Sequence, residues 1–181
     1  MAILPIAVFG DNVLKQKTKS VQEFDDQLII DIKNMFETMR NADGLGLAAN
    51  QVGLNKSMFV MDLQSIEGYE KSKPMVLINP EIILESEETK IIEEGCLSLP
   101  ALRAEVERPK IIKVRYMDTD ENIQEMEADD LFARVILHEY DHLIGKMIPD
   151  RVNSEIKKLL KENLKKIEKR ELEIDYPITN K

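Results

Sequence analysis

The chain has 181 residues with a formal net charge of −9, and 43% of its residues are hydrophobic while 33% are charged. This balance excludes a disordered chain and is typical of one globular domain, which we place at residues 1–181. No apolar run approaches the roughly 20 residues of a membrane helix, the N-terminal residues match neither a signal nor a transit peptide, and the negative charge disfavours DNA binding, so we expect a cytoplasmic protein.

The first predicted element is a helix over residues 25–40, whose apolar residues recur along one stripe. Short β-rich runs follow it. Residues 118–121 are typical of a hairpin turn, and Pro80 and Pro109 punctuate other runs. The predicted strands are residues 58–61, 75–78, 82–84, 91–92, 104–107, 111–116 and 123–126.

Two further helices complete the pattern. One covers residues 129–144 and ends at Gly145, which suits a helix C-terminus. The other begins near a cap at Asn153 or Ser154, and we treat residues 152–176 as a basic C-terminal helix and tail. Strands in the middle with helices at both ends predict an α+β fold. We expect mixed or antiparallel strands packed around the second helix, with an N-terminal helix and a long C-terminal helix.

The strongest chemical signal is an HExxH pattern in the second helix, where residues 138–142 are HEYDH. His138 and His142 lie one turn apart on the same helix face, so both imidazoles can reach one metal ion. Glu139 lies about 100° around the helix from His138, where it can contact a water at that ion. The alternative is two unrelated surface histidines. However, the only two histidines of the chain both fall in this pattern, which favours a metal site.

A catalytic metal site usually has three protein ligands and one open position, and the chain has no third histidine. The remaining candidates are Cys96 or a carboxylate. As the only cysteine, Cys96 cannot form an intramolecular disulfide, and taken alone it could be a buried structural residue or a reactive thiol. Beside two histidines a metal-ligand role is favoured, and thiolate with imidazole suits Zn²⁺.

A third segment is rich in small residues: residues 44–51 are GLGLAANQ. Its glycines and alanines let another backbone or a ligand approach closely, and Gln51 offers a side-chain amide donor. The run lacks the lysine and the glycine spacing of phosphate-binding loops. Taken alone, it indicates a helix end leading into tight packing.

The three segments GLGLAANQ, EGCLS and HEYDH, in this order and at these separations, resemble the signature motifs of peptide deformylases. The resemblance extends to about Arg151, and the C-terminal helix resembles that of bacterial-type, type I members. It implies a hydrolase that removes the formyl group from the N-terminal formyl-methionine of nascent polypeptides. It also implies that Cys96, His138 and His142 bind the metal. In the family this ion is Fe²⁺, which Zn²⁺, Ni²⁺ or Co²⁺ can replace.

The resemblance further implies that Glu139 is the general base and acid, and that Gln51 and the backbone N–H of Leu97 bind the developing oxyanion. We expect Gly46 to pair with the extended substrate chain and apolar residues to form a methionine pocket. We also expect a pair between Asp141 and Arg108 that orients the metal-binding helix. The candidate substrate-binding residues are Leu45, Gly46, Ile92, Leu131 and Val135.

Two positions near the first histidine leave open which side chain the enzyme prefers at the first residue of its substrate. Many family members have glutamine directly before that histidine, and this chain has Leu137. Arg134, one turn earlier, faces the side where the methionine pocket begins, and its aliphatic stem could line that pocket.

The C-terminal helix suggests a macromolecular partner. Between residues 151 and 171 the chain carries eight basic and four acidic residues. The segment resembles the one through which bacterial deformylases dock on the ribosome near the exit tunnel, and a lysine-rich face suits phosphate backbones. A charge-rich helix face can also be merely solvated.

Other functions fit parts of the pattern. The main enzymatic alternative is a zinc endopeptidase of the HExxH type, which would cleave internal, unblocked peptides. A hydrolase with Cys96 as nucleophile would survive chelation, and a non-enzymatic metal-binding module would have no open coordination position. Formate release from a formyl-Met peptide, with and without chelator, separates these functions.

Overall fold

The computed structural model describes residues 2–180, which form three α-helices and seven β-strands. The helices are α1 (Asp26–Asn41), α2 (Asp130–Leu143) and α3 (Ser154–Glu168). The strands are β1 (Gly46–Ala48), β2 (Met58–Met61), β3 (Met75–Glu85), β4 (Thr89–Cys96), β5 (Leu99–Pro109), β6 (Ile111–Met117) and β7 (Ile123–Asp129).

The strands form two sheets, both antiparallel. The larger sheet has the order β1-β2-β3-β6-β7, and β4 pairs with β5 in a separate two-stranded ribbon. The predicted α+β fold, with antiparallel strands around the HExxH helix and helices at both ends, is confirmed. Within the described residues, no helix combines the length and apolar character that crossing a bilayer requires.

The larger sheet is packed between α1 and α2, which explains why every residue of β2 is buried. Successive strand side chains point to opposite faces. Met58 and Val60 accordingly join the apolar cluster that contains the buried face of α1, while Phe59 and Met61 join the cluster around α2. A strand buried on both faces therefore places the HExxH helix on a rigid platform.

The ribbon of β4 and β5 has its own apolar cluster with α3. Leu102 and Val106 of β5 pack in the cluster that contains the buried face of α3. That face consists of Leu160, Leu164 and Ile167, so the apolar stripe expected in the C-terminal helix is the one that the structure buries. The ribbon thus lies between the metal-binding helix and the C-terminal helix.

Two local expectations were wrong. Pro80 does not separate two strands, because β3 continues through it; the pairing with β6 shifts register between Ile78 and Glu81, where a residue without an N–H is tolerated. The small-residue run contributes a strand, β1, rather than only a helix end. The hairpin turn and the C-terminal glycine of α2 are confirmed: the Asp118 N–H donates to the Asn122 carbonyl, and Gly145 has φ +73°.

The two ends of the described chain lie side by side. Ile6 and Ile178 form a parallel β-bridge, in which the Ile6 N–H donates to the Pro177 carbonyl at 2.9 Å. The Asp11 carboxylate accepts hydrogen bonds from the Thr179 hydroxyl at 2.6 Å and from the Arg170 guanidinium. Burial would raise the pKa of Asp11, but the hydrogen bonds from Thr179 and Arg170 outweigh it and lower this pKa below its ordinary value.

Candidate metal centre

Helix α2 presents the two histidines toward the β4–β5 ribbon. His142 is fully buried and His138 is partly buried, with their ring centroids 5.1 Å apart. The Asn50 side-chain amide donates to the His142 carbonyl at 2.6 Å and so ties the C-terminal turn of α2 to the small-residue run. The i, i+4 geometry inferred from the sequence is therefore realised on a packed helix.

Cys96 reaches the histidines from the end of β4. Pairing with β5 changes register between Gly95 and Cys96, at the turn that joins the two strands. The Cys96 Sγ lies 3.2 Å from His142 Nε2, and one potential ligand atom from each of Cys96, His138 and His142 lies within 4.8 Å of the others. The structure thus brings together a thiol and two imidazoles that are distant in sequence, a spacing that a single tetrahedral ion can bridge.

The charges around this cluster favour a cation. Burial would lower the pKa of His138, but the Cys96 sulfur and the Glu94 carboxylate outweigh it and raise that pKa well above its ordinary value. His142 behaves oppositely, because burial and the neighbouring His138 lower its pKa. The acidic surroundings that favour positive charge on His138 would also favour a bound cation, which replaces the protons of the thiol and imidazoles when these act as ligands.

Glu94 is the acidic centre of a buried ionic network that sequence analysis missed. Although burial alone would raise its pKa, hydrogen bonds with His138 and Arg108 lower it strongly, so it is ionised. Its carboxylate accepts from Arg108 at 2.6 and 3.0 Å, from Arg134 at 2.7 Å and from His138 Nδ1 at 2.9 Å. An ionised carboxylate on Nδ1 leaves His138 Nε2 for the ion.

The expected pair between Asp141 and Arg108 is confirmed. The Arg108 guanidinium donates to Asp141 at 2.7 Å, and Arg151 also pairs with this carboxylate. Arg108 therefore connects Asp141 on α2 with Glu94 on β4. Arg134 lines the cleft as expected, but its guanidinium is buried against Glu94 and two backbone carbonyls.

Glu139 lies buried between α2 and β1. Its Oε1 lies where a side chain on Gly46 would begin: a Cβ at that glycine would lie 2.5 Å from it. Its Oε2 finds no hydrogen-bond partner among residues 2–180. Burial raises the pKa of this carboxyl to about 7, although the neighbouring His138 acts in the opposite direction. A carboxyl that exchanges its proton near neutral pH, with one unpartnered oxygen, is suited to proton transfer.

Gln51 and Leu97 lie at the same end of the cleft. The Gln51 amide donates to Ser98 Oγ at 3.0 Å and lies 3.9 Å from Cys96 Sγ, while its Oε1 accepts from the Ala48 N–H at 2.7 Å. These contacts fix which end of the amide faces the thiol. An amide carries two N–H donors, and besides the bond to Ser98 the Gln51 amide makes a long contact with the Cys96 sulfur, so it lies next to the proposed metal ligand.

A cleft of about 520 Å³ opens beside these groups. Its walls come from the small-residue run, the β4–β5 ribbon and α2. All five candidate substrate-binding residues line it, together with Cys96, His138, Glu139, Gln51 and Leu97; His142 lies behind the wall, fully buried. The five substrate-binding candidates are Leu45, Gly46, Ile92, Leu131 and Val135.

Tyr176, which sequence analysis did not single out, also lines the cleft. Its hydroxyl donates to the Leu97 carbonyl at 2.7 Å. Burial and the neighbouring Cys96 sulfur raise the pKa of this phenol, so it remains a donor at neutral pH. No local pattern near residue 176 indicates this contact, because its partner lies 79 residues away.

Comparison with known proteins gives a consistent result. Residues 3–158 match the family model described as polypeptide deformylase. The peptide deformylase of Salinibacter ruber is 46% identical over 99% of this chain and 95% of its own length. The crystal structure of peptide deformylase from Thermotoga maritima has a TM-score of 0.79 and 44% identity, and covers 84% of this chain and 99% of its own.

A third relative agrees. The peptide deformylase of Synechococcus elongatus, solved in complex with actinonin, has a TM-score of 0.83 and 41% identity, with 97% of this chain and 92% of that chain covered. Sequence and fold similarity thus extend over nearly the whole of this chain and of its relatives. The chain belongs to the polypeptide deformylase family.

Proposed function

We propose that the protein is a metal-dependent peptide deformylase, which hydrolyses the formamide of N-terminal formyl-methionine and releases formate. The observation that carries the proposal is the cluster of Cys96, His138 and His142 beside the unpartnered carboxylate oxygen of Glu139. Family membership supports the reaction. A non-enzymatic metal module would not need a proton-transfer group next to its ligands.

We infer that one divalent ion binds Cys96, His138 and His142, with Fe²⁺ as the cellular metal of the family and Zn²⁺, Ni²⁺ or Co²⁺ as substitutes. When bound, such an ion lowers the pKa of a water and polarises the formyl carbonyl. The buried Glu94 carboxylate supports this assignment, because it orients His138 and balances positive charge. Three protein ligands leave a position open for substrate.

Glu139 is the group that moves protons. Its pKa of about 7 lets it accept a proton from the attacking water and return it to the leaving amine at neutral pH. The absence of a side chain at Gly46 makes room for this carboxylate. Burial of Glu139 also keeps bulk water from competing for the proton.

Gln51 and the Leu97 N–H stabilise the oxyanion that forms when the formyl carbon becomes tetrahedral. Both lie on the cleft wall next to Cys96, and the contacts of Gln51 with Ser98 and Ala48 hold its amide in one orientation. A donor fixed before the reaction needs no reorganisation as charge develops, which makes it effective in a dry site.

The substrate chain extends along β1. This strand lies at the edge of the larger sheet, and Gly46 faces the cleft. The terminal strand of a sheet can pair with an extended peptide through its main-chain hydrogen-bonding groups. The apolar side chains of Leu45, Ile92, Leu131 and Val135 then form the methionine pocket, while the small formyl group fits against Glu139.

One assay tests this function against its alternatives. Formate release from a formyl-Met tripeptide is measured before and after chelation, after readdition of Fe²⁺, Co²⁺ or Ni²⁺, and with an unformylated peptide. A deformylase releases formate only with metal and leaves internal peptide bonds intact. Cleavage of the unformylated peptide would indicate an endopeptidase, and activity that survives chelation would indicate a Cys96 nucleophile.

We also propose that α3 contacts the ribosome near the exit tunnel. Exposed lysines at residues 157, 158, 161 and 166 form no ion pair within the described residues, whereas Arg151 and Arg170 are engaged by Asp141 and Asp11. These lysines are spread around the exposed surface of α3, outside its buried stripe, and such a surface suits RNA phosphates.

Cosedimentation with ribosomes at increasing salt tests this contact. A variant with glutamate at residues 157, 158 and 161 should lose binding and retain full activity on a free peptide. The matched control places glutamate at three exposed lysines outside α3, at residues 15, 17 and 19. Equal sedimentation of the two variants would contradict docking through α3.

We propose that the protein acts in the cytoplasm, because its proposed substrates are nascent polypeptides. We further propose that residues 1–181 act as one catalytic domain. The contacts of residues 170–179 with Ile6 and Asp11, which lie in the N-terminal segment, support this organisation.

A further inference from the structure

The last described residues of the chain return to the active site after α3 ends. They lie beyond residues 3–158, the part that the family model matches. Tyr176 of this segment is partly buried, lines the cleft and donates its hydroxyl hydrogen to the Leu97 carbonyl at 2.7 Å. Its ring belongs to the same apolar cluster as Leu97 and Ile6. A segment that supplies none of the proposed metal ligands therefore contacts Leu97, whose N–H is one of the proposed oxyanion donors.

The segment is held on both sides of Tyr176. Directly after it, the Pro177 carbonyl accepts from the Ile6 N–H at 2.9 Å, and the Thr179 N–H donates to the Ile6 carbonyl at 3.0 Å. Before it, Arg170 pairs with Asp11. Because its neighbours are paired with the N-terminal segment, Tyr176 cannot shift far along the cleft wall.

The N-terminal segment contacts the same part of the site. The Ala7 N–H donates to the Gln51 carbonyl at 2.7 Å, and the Phe9 N–H donates to the Ser98 carbonyl at 2.9 Å. Together with Tyr176, the two chain ends therefore occupy the backbone carbonyls of Gln51, Leu97 and Ser98. Two of these three residues supply the proposed oxyanion donors, and the third accepts from the Gln51 amide.

We propose that Tyr176 is a positioning residue for deformylation, whose hydroxyl holds the Leu97–Ser98 peptide group through the Leu97 carbonyl and thereby limits rotation of the turn that carries the Leu97 N–H in the oxyanion site. The inference rests on the proposed function. Residues 97 and 98 form the turn between β4 and β5, where no strand pairing restrains the Leu97 peptide groups. The phenol supplies the missing restraint from outside the ribbon.

The hydroxyl acts on the transition state more than on the bound substrate. An N–H that stabilises the oxyanion is needed only as negative charge develops, so a misdirected donor lowers kcat while leaving KM nearly unchanged. Water can replace part of the lost hydrogen bond, because Tyr176 is only partly buried. The effect is therefore smaller than deletion of an oxyanion donor itself.

The test compares Tyr176→Phe with Tyr69→Phe in the metal-loaded full chain, using a formyl-Met tripeptide. Tyr69 is also partly buried, but it packs its ring in the α2 cluster, and its hydroxyl makes no hydrogen bond within residues 2–180. We expect kcat of Tyr176→Phe to fall about three- to tenfold with KM within about twofold of the unmodified chain. Tyr69→Phe should match the unmodified chain in both constants.

The near-ultraviolet and visible absorption of the Co²⁺-loaded protein provides a readout that changes when the metal site is disturbed. An unchanged thiolate-to-cobalt band together with the loss in kcat supports positioning of Leu97. Three results would overturn it: kcat within twofold of the unmodified chain, an increase in KM alone, or an altered cobalt band. If the unmodified chain itself releases no formate, the proposed function fails instead, so the two failures are distinguishable.

Discussion

The close approach of Gly46 to Glu139 makes a strong prediction for Gly46→Ala. A Cβ at this position would lie 2.5 Å from Glu139 Oε1 and 2.8 Å from its Cδ and Cγ. Because an unstrained carbon–oxygen contact is about 3.3 Å or longer, the carboxylate or the strand must move by about 0.8 Å. Strand β1 is paired with β2 through Gly46 and Met61, so the side chain of Glu139 is the part that moves.

Displacement of the proton-transfer group should slow catalysis strongly. A misplacement of about 1 Å costs roughly 10²-fold in rate, so we expect kcat/KM of Gly46→Ala to fall about 30- to 100-fold. Overpacking should also lower the free energy of unfolding by about 1–3 kcal/mol. The bound metal should remain at one ion per chain, because none of the three ligands is touched.

The assay is formate release from a formyl-Met tripeptide, with metal content and thermal unfolding measured on the same samples. Gly68→Ala is the matched control: Gly68 has φ +88° and open space around it, so alanine there costs about 1–2 kcal/mol of backbone strain without reaching the site. If Gly46→Ala keeps more than a third of the unmodified activity, the space at Gly46 does not position Glu139 and the reasoning is refuted.

Three further predictions follow from the same contacts. Glu139→Ala should keep its metal and lose about 10²–10⁴-fold in kcat, because the proton-transfer group is gone; substantial residual turnover with metal bound would reject that role. Glu94→Gln leaves two buried arginines undercompensated and should cost about 3–5 kcal/mol of unfolding free energy and about 10–100-fold in metal affinity, measured by denaturation and competitive chelation. The adjacent Glu93→Gln, at an exposed site, should change neither quantity appreciably. Asp11 has a lowered pKa in the folded chain, so its ionised form stabilises the fold above its unfolded pKa, and the contribution is lost as pH falls through the folded pKa. Asp11→Asn should therefore lower the melting temperature at pH 7, with the difference shrinking below about pH 4; a gap that persists in acid would contradict the ion-pair explanation.

Sequence reasoning succeeded where chemistry follows from local geometry. The i, i+4 spacing of His138 and His142 is fixed by any helix, and the structure keeps both rings within 5.1 Å. The prediction that Cys96 lies beside them came from the combination of the three motifs, because no periodic pattern indicates it. The pairing of Asp141 with Arg108 was predicted from the family resemblance and is present at 2.7 Å.

Features that depend on distant parts of the chain were not predictable in this way. Glu94 stands directly before the glycine of EGCLS, yet its role requires Arg108, Arg134 and His138 to converge on one carboxylate. The contact of Tyr176 with Leu97 likewise joins residues without any shared periodic pattern. The prediction that Pro80 separates two strands was wrong, because the irregular pairing between Ile78 and Glu81 accommodates a proline within β3.

The separation of the β4–β5 ribbon from the larger sheet has a consequence for dynamics. Cys96 belongs to the ribbon and His142 to α2, 46 residues further along the chain, and within residues 2–180 no strand pairing joins the ribbon to the larger sheet. An ion bound between them acts as a removable cross-link that closes a long loop, as a disulfide would. Stripping the ion should therefore accelerate amide hydrogen exchange first in the ribbon, while the amides of β2, sealed between two helices, keep their protection.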